Sequence, residues 1–211
     1  QVLVRNRATL ISPGTELMSV RARRERPDPE ARPRKFGYSS AGVVVETGEG
    51  CQDIPVGSEV ACMGGGYALH SDWVVVPRNL IVPKPEGISF AEAAFAHLGA
   101  TALHAIQRGD VRIGENMLVV GLGLVGQLAA QLGRIAGAHV AVLDRLPMRR
   151  EVAQKCGADL VLDPDRDVEA QVAEFTRGYG LDCALIAFGG EATQVVEMIA
   201  RMMKTAPDGH K

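Results

Sequence analysis

The first hundred residues alternate short apolar runs with glycine and proline breaks. The runs are rich in valine and in other β-branched or aromatic residues, a composition typical of strands. Prolines between them act as turn formers. The pattern predicts an irregular, mostly antiparallel β domain with strands at residues 2–10, 41–47, 58–62 and 73–76.

Two helices are predicted at the end of this β-rich part. Ser89 is placed to cap a helix over the sequence SFAEAAFA, with Glu92 at the capping-box position. A second helix is expected from about residue 100 to 107. The charged, proline-rich segment RARRERPDPEARPRK (21–35) is interpreted as an exposed loop, with a substrate-facing lid as the alternative.

After residue 114 the pattern changes to strands that alternate with helices. Such an alternation predicts a parallel sheet with right-handed crossovers, hence an α/β domain. The predicted strands are 117–120, 139–143, 160–162 and 183–187, and the predicted helices are 124–136, 148–156, 168–176 and 191–203.

A glycine motif joins the first of these strands to its helix. Gly121, Gly123 and Gly126 form G-x-G-x-x-G, which in this strand–helix context is typical of dinucleotide binding. The first glycine permits a tight turn, the second lets the backbone approach a pyrophosphate, and the third lets the helix pack closely. The amides that open the helix, at Leu124 and Val125, would then face the phosphates.

An acidic residue follows the next strand at the position expected for ribose binding. Asp144 stands 23 residues after Gly121, close to the usual offset of about 20. Its carboxylate would accept hydrogen bonds from both ribose hydroxyls and repel a 2′-phosphate, which favours NAD over NADP. The adjacent Arg145 weakens that inference, because a guanidinium can bind a 2′-phosphate. A flavodoxin-like or methyltransferase sheet with a coincidental glycine loop is the alternative.

Composition narrows the class of protein. Hydrophobic residues make up 46% of the 211 residues and charged residues 23%, as in ordinary globular proteins. The net charge of −2 gives no reason to expect nucleic acid or a membrane surface as a partner. No long apolar run or signal peptide is visible, and the four dispersed cysteines are typical of reduced thiols. We therefore expect a cytoplasmic protein.

The order of these parts resembles the medium-chain dehydrogenase/reductase superfamily, the alcohol and sorbitol dehydrogenase group. The stretches that carry the resemblance are SPGTEL (12–17), GYSSAGVVVETGEG (37–50), VGSEVA (56–61), FAHLGATALHAI (95–106) and VVGLGLVG (119–126). The resemblance implies a GroES-like, β-rich catalytic domain over residues 1–108. It also implies a doubly wound Rossmann cofactor domain over residues 109–211, incomplete at its C-terminus, so that the chain is expected to be a fragment.

The zinc ligands of that superfamily are not matched. The cysteine that begins the catalytic zinc site corresponds to Pro13, the histidine ligand to Tyr38, and the third ligand to His97. The cysteine-rich lobe that binds structural zinc is also missing. No metal site is predicted, because tetrahedral zinc needs three or four nitrogen, sulfur or carboxylate ligands. The pattern resembles a zinc-less subgroup that includes bacteriochlorophyllide dehydrogenase-like oxidoreductases.

Other residues must then handle the proton that accompanies hydride transfer. Tyr38 and His97 match two former ligand positions and are expected to converge. We hypothesise that one of them exchanges the proton with the substrate oxygen, with Thr15, which matches the relay residue of the family, passing it on. The resemblance also implies that Thr101 lies against the nicotinamide and that Gly189 passes near its ribose.

The sequence therefore predicts a zinc-independent oxidoreductase that transfers a hydride between NAD(H) and a small alcohol or ketone. The full-length protein is expected to be a homo-oligomer. A quinone or enoyl reductase using NADPH is one alternative. A catalytically silent dinucleotide-binding protein is the other.

Overall fold

The computed structural model describes residues 1–30 and 32–205, which divide into two compact units. The first unit is Gln1–Leu98, and the second begins at Gly99. The sequence placed the domain boundary ten residues later, between 108 and 109. The difference arises because Ala102 and Ile106, on the helix that crosses this region, are buried in a core of the second unit.

The first unit is built on an antiparallel sheet of five strands, in the spatial order β4-β1-β2-β3-β5. This confirms the predicted antiparallel β structure, but the last strand was not predicted. Its strands are β1 (Val2–Thr9), β2 (Ser39–Thr47), β3 (Glu59–Met63), β4 (Trp73–Val76) and β5 (Ile81–Pro83).

Alternating side chains of these strands form the core of the first unit. On β1 the side chains of Val2 and Val4 are buried while Arg5 is exposed. They pack with Val44 from β2 and with Val74 and Val76 from β4. The period of two of an extended strand thus decides which side chains of β1 are buried.

Helix α1 (Pro13–Glu25) was not predicted, and the interpretation of residues 21–35 as a loop is wrong for residues 21–25. Pro13 stands in the first turn, where its missing N–H costs nothing, and the residues up to Glu25 include no further proline. None of the helix residues is buried, so the sequence carries no apolar stripe to reveal it. The helix ends just before Pro27.

The helices at the end of the first unit follow the sequence prediction. Helix α2 (Phe90–Ala93) begins at Ser89, whose hydroxyl accepts a hydrogen bond from the amide of Glu92 while the Glu92 carboxylate accepts one from the amide of Ser89. The predicted capping box is thus confirmed. Helix α3 (Ala96–Arg108) begins four residues before the predicted helix and crosses from the first unit into the second.

The second unit contains a parallel sheet of four strands, as predicted. The spatial order is β8-β7-β6-β9, and every pairing is parallel. The strands are β6 (Asn116–Val120), β7 (His139–Leu143), β8 (Leu160–Val161) and β9 (Cys183–Ile186).

Helices cover both faces of this sheet. Met117 and Val119 of β6 face one core, and Leu118 and Val120 face the other. The first core includes residues of α3 and of the helices that follow β6 and β7, and the second includes residues of the helices that follow β8 and β9. The helices that follow the strands are α4 (Leu124–Ile135), α5 (Pro147–Lys155), α6 (Val168–Phe175) and α7 (Thr193–Met202). No helix in the described part of the chain is both long enough and apolar enough to span a membrane.

The strand order creates a switch point beside β6. The chain runs from β6 outward to β7 and β8, and then returns to place β9 on the other side of β6. In open α/β sheets, ligands bind at the carboxyl ends of strands where the order reverses in this way. The glycine motif follows β6 at that edge.

Candidate functional site

The glycine turn after β6 is closed by the loop after β9. Gly121 has φ +93°, a conformation that L side chains rarely adopt. A Cβ built on it would lie 3.1 Å from the carbonyl carbon of Ala187 and 3.0 Å from Cβ of Phe188. The first glycine is therefore required both by the turn and by the chain that packs against it.

Glycine is required at Gly126 for a different reason than at Gly123. A Cβ on Gly126 would clash with the carbonyl oxygen of Gly121, so only glycine lets helix α4 approach the turn so closely. A Cβ on Gly123 would meet no atom within 4 Å. The open space beside Gly123 is the cradle that a bound phosphate group would need.

Helix α4 presents its first amides at this cradle. Gly123 is the N-cap residue, and its carbonyl oxygen accepts the first helical hydrogen bond from the amide of Gln127 at 2.9 Å. The amides of Leu124, Val125 and Gly126 precede that bond and have no acceptor within the helix. Within the described chain, no side chain caps them. The arrangement suits an anion at the helix N-terminus.

Asp144 lies at the end of β7 and holds the glycine turn itself. Its carboxylate accepts hydrogen bonds from the amide of Leu122 at 2.7 Å and from the amide of Leu146 at 2.8 Å. Burial disfavours the charged carboxylate, but these two amides and the Arg149 guanidinium outweigh that cost, so the pKa of Asp144 lies below its ordinary value. A carboxylate has about four acceptor positions, and these three donors leave about one of them for a ribose hydroxyl.

The arginines around Asp144 are arranged differently from the expectation. Arg145 is exposed, and it is Arg149, one turn into α5, whose guanidinium reaches the Asp144 carboxylate at 3.4 Å. Arg150 donates to the carbonyl oxygen of Asp144 at 2.9 Å. Two arginines that the sequence reasoning passed over therefore stand at the predicted ribose position. Arg149 and Arg150 follow Asp144 by five and six residues, and only the structure shows that their guanidiniums reach it.

The remaining predicted cofactor residues lie in the second unit. Thr101 is on the exposed side of α3. Gly189 is exposed in the loop after β9, one residue beyond the Phe188 that packs on Gly121. Gly189 therefore directly follows a residue that packs against the glycine turn.

Tyr38 and His97 come together, as expected. Their rings meet edge to face with centroids 5.0 Å apart, and Nδ1 of His97 lies 2.9 Å from the carbonyl oxygen of Tyr38. The buried hydroxyl of Ser39 donates to the carbonyl oxygen of Ala94 at 2.6 Å, which fixes the start of β2 against the chain before α3. Since a carbonyl oxygen only accepts, Nδ1 carries the hydrogen, and Nε2 is the acceptor nitrogen of the neutral ring.

Thr15 lies on α1, with its side chain exposed. In the described residues its hydroxyl makes no hydrogen bond, so the expected relay through Thr15 remains a prediction. Its neighbour Glu16 is half-buried, and its carboxylate contacts the imidazole of His70.

His70 links α1 to the end of β1 and to the segment that precedes Tyr38. Its Nε2 lies 3.1 Å from the Glu16 carboxylate, and its Nδ1 lies 2.8 Å from the Thr9 hydroxyl. Its amide donates to the carbonyl oxygen of Phe36 at 2.9 Å, and a Cβ on Gly37 would lie 3.0 Å from its ring. Glu16 and His70 are 54 residues apart, and no spacing rule could have paired them.

Comparison with known proteins identifies the family. Residues 125–206 match the family model described as zinc-binding dehydrogenase. The chain is 28% identical over 186 residues to (R,R)-butanediol dehydrogenase of Bacillus subtilis (strain 168), which covers 76% of this chain and 53% of that protein.

Solved structures share the fold. One is an alcohol dehydrogenase superfamily protein from Novosphingobium aromaticivorans, with a TM-score of 0.81, 27% identity and coverage of 96% of this chain and 62% of that one. Another is a quinone oxidoreductase of Pseudomonas syringae pv. Tomato DC3000, with a TM-score of 0.77, 28% identity and the same coverages.

The chain belongs to the medium-chain dehydrogenase/reductase superfamily, in its alcohol dehydrogenase-like part. The family resemblance and the predicted fold class are thereby confirmed. The chain spans about half the length of the curated relatives it matches.

The bridge through His70 generates a first prediction. In His70→Ala, the Glu16 carboxylate loses its imidazole partner and α1 loses a side-chain link to the sheet. We expect amides of residues 13–25 to exchange hydrogen about tenfold faster, and the free energy of unfolding to fall by about 1–3 kcal/mol. Hydrogen-exchange mass spectrometry and urea denaturation measure the two effects.

The matched control is His104→Ala, which removes an exposed histidine from α3. It should leave exchange in residues 13–25 unchanged. Equal protection of that segment in the wild type and in His70→Ala would show that His70 does not hold the helix.

Proposed function

We propose that the protein containing this chain is a zinc-independent oxidoreductase that transfers a hydride between NAD(H) and an alcohol or ketone. The observation that carries the proposal is the contact between Tyr38 and His97, at two positions that match zinc ligands of the family. The glycine turn and the N-terminus of α4 support the dinucleotide part of it. The bound dinucleotide supplies the hydride acceptor or donor.

The residues of the second unit fit a dinucleotide. Gly121, Gly123 and Gly126 shape the cradle, and the amides of Leu124 and Val125 point a partial positive charge at the phosphates. Asp144 would take a ribose hydroxyl and disfavour a 2′-phosphate, so NAD is the proposed cofactor. NADP stays as the alternative because Arg145, Arg149 and Arg150 stand close along the chain. Thr101 and Gly189 are the proposed nicotinamide-side contacts.

The residues at the former ligand positions do not fit zinc. Pro13 has no donor atom, Tyr38 offers a phenol, and His97 engages one ring nitrogen with a carbonyl oxygen. Among residues 1–30 and 32–205, no three His, Cys, Asp or Glu side chains are grouped so that they could hold a metal ion. We therefore derive the proton chemistry from the side chains of this chain.

Tyr38 and His97 divide that chemistry by their hydrogen-bonding capacity. With hydrogen on Nδ1, the neutral His97 ring offers Nε2 as the base that takes a hydroxyl proton during alcohol oxidation. The phenol of Tyr38 is a hydrogen-bond donor suited to the carbonyl oxygen of a ketone in the reverse direction. Thr15 is the proposed relay that passes the proton toward water.

A quinone or enoyl reductase is the second candidate. It is favoured by the structural similarity to the Pseudomonas syringae quinone oxidoreductase. In that reaction a hydride adds to an activated C=C bond and a donor such as Tyr38 supplies the proton. Screening secondary alcohols, ketones, quinones and enones with NADH and NADPH distinguishes the two candidates.

Substitutions at two glycines of the turn distinguish an effect on NADH binding from an effect on the stability of the fold. Gly123→Ala should raise the Kd for NADH at least about tenfold, because the methyl group fills the cradle, while changing the free energy of unfolding by less than about 0.5 kcal/mol. Gly126→Ala should weaken binding and also cost about 1–3 kcal/mol of stability, since the methyl group meets the Gly121 carbonyl oxygen. Fluorescence titration and urea denaturation measure them. If Gly123→Ala binds NADH as tightly as the wild type, the open space at Gly123 does not hold a phosphate group.

Substitution at the proposed proton-exchange pair tests the catalytic part. His97→Ala and Tyr38→Phe, in the intact protein, should each lower kcat by about 100-fold in the alcohol–ketone reaction. Tyr67→Phe and His104→Ala change the same residue types at exposed positions and should keep near-native turnover. The assignment is wrong if both Tyr38→Phe and His97→Ala match the controls.

Metal removal tests the zinc-independent part. Dialysis against a strong chelator should leave turnover and the unfolding transition unchanged, because the proposed chemistry uses only side chains and the dinucleotide. Elemental analysis of the untreated protein should find zinc far below one per chain. Stoichiometric zinc, with activity lost on its removal and restored by its return, would contradict the proposal.

A further inference from the structure

A small basic cleft lies in the first unit between helix α1 and the segment that leads to β2. Its volume is about 260 Å³, the size of a small organic molecule. The lining residues are Ser19, Val20, Arg23, Arg24, Arg34 and Phe36. Neither the cofactor turn nor the Tyr38–His97 pair includes any of them.

The cleft concentrates positive charge without a counter-charge. Half of its lining residues are arginines, and none is acidic. In the described part of the chain none of these three guanidiniums forms an ion pair, although Arg23 donates to the carbonyl oxygen of Arg32 at 2.9 Å. Residues 21–35 carry a formal net charge of +4, whereas the whole chain carries −2. Converging guanidiniums repel one another, and an anion between them relieves that repulsion.

The chemistry of the lining specifies the ligand further. A guanidinium matches a carboxylate or a phosphate with two parallel hydrogen bonds, and its plane also stacks on aromatic groups. Val20 and Phe36 add an apolar wall, and Phe36 is 38% exposed, so its ring is accessible to a ligand. We propose that this cleft binds the acidic end of the substrate, an organic anion with a carboxylate or phosphate group on an apolar body.

The position of the cleft along the chain relates it to the proton-exchange residues. Phe36 precedes Tyr38 by two residues, a separation of at most about 7 Å. Thr15, Ser19 and Arg23 follow at intervals of four on one face of α1, so Arg23 lies about 12 Å from Thr15. The lining of the cleft is therefore continuous along the chain with Tyr38 on one side and with Thr15 on the other. This inference rests on the proposed function and narrows its substrate class.

A large polyanion is a poorer match to these observations. The feature is a concave cleft rather than a wide basic face, and the chain as a whole is slightly acidic. A small ligand fills such a cleft, while nucleic acid or an anionic membrane would contact the outer surface of the segment. These larger partners enter the experiment as outcomes.

Calorimetric titration of the intact protein without dinucleotide tests the cleft. The probes are 4-phenylbutyrate and phenyl phosphate, with 4-phenylbutyramide as the uncharged match. We expect the two anions to bind at least about tenfold more tightly than the amide, and their affinity to fall as salt is raised. The double variant Arg24→Ala/Arg34→Ala should lose at least about tenfold in affinity for both anions.

The control variant is Arg21→Ala/Arg26→Ala, which removes the same charge from the same segment without touching the cleft. It should bind the anionic probes within about twofold of the wild type. If both double variants lose the same affinity for the anionic probes, the net charge of the segment explains the binding and the proposed site is wrong. Equal binding of the amide, no binding of either anion, or a preference for phosphatidylserine vesicles or duplex DNA would overturn it as well.

Measurements of NADH affinity and of turnover distinguish failure of the cleft from failure of the proposed function. NADH affinity should be the same in the wild type and in both double variants. If the anionic probes bind as expected but no alcohol, ketone, quinone or enone is turned over, the cleft stands and the proposed function fails. If alcohols or ketones that carry a carboxylate or phosphate group are turned over with a KM that Arg24→Ala/Arg34→Ala does not raise, the function stands and the cleft fails as a substrate site.

Discussion

The close approach of helix α4 to the carbonyl oxygen of Gly121 is the constraint on which the second unit depends. Because Gly126 has no side chain, the helix begins directly above the end of β6 and its first amides face the open space at Gly123. The hydrogen bond from the amide of Leu122 to Asp144 then ties the turn to the neighbouring strand. The chain after β9 closes the other side. Backbone atoms, held by packing, thus form the candidate phosphate site.

The first unit positions its candidate chemistry by a different means, namely side-chain bridges between segments distant in sequence. Ser39 reaches the chain before α3, His97 reaches the carbonyl oxygen of Tyr38, and His70 reaches Glu16 on α1. The first two of these links hold Tyr38 and His97 in contact. Hydrogen bonds to backbone carbonyls fix ring orientation, and with it the tautomer on which a base depends.

The sequence was most informative where local pattern and packing agree. The strand at 139–143 and the capping box at Ser89 were predicted at their observed positions, because a short apolar run and a helix cap are local signals. Helix α1 was missed because an exposed helix has no apolar period, and the three-residue strand β5 was too short to register. Within the candidate site, Tyr38 and His97 were found through the family pattern. The Glu16–His70 bridge and Arg149 became visible only when the fold brought distant residues together.

The two tasks of the Asp144 carboxylate have a consequence for how cofactor preference can change in this chain. One carboxylate oxygen accepts from the Leu122 amide and the other from the Leu146 amide. A neutral replacement for Asp144 that allowed a 2′-phosphate to bind would also leave those two amides without their carboxylate acceptors. Under the proposed preference for NAD, a change toward NADP at the acid itself would therefore also disturb the loop, whereas a change among the arginines of α5 would leave both amide hydrogen bonds in place.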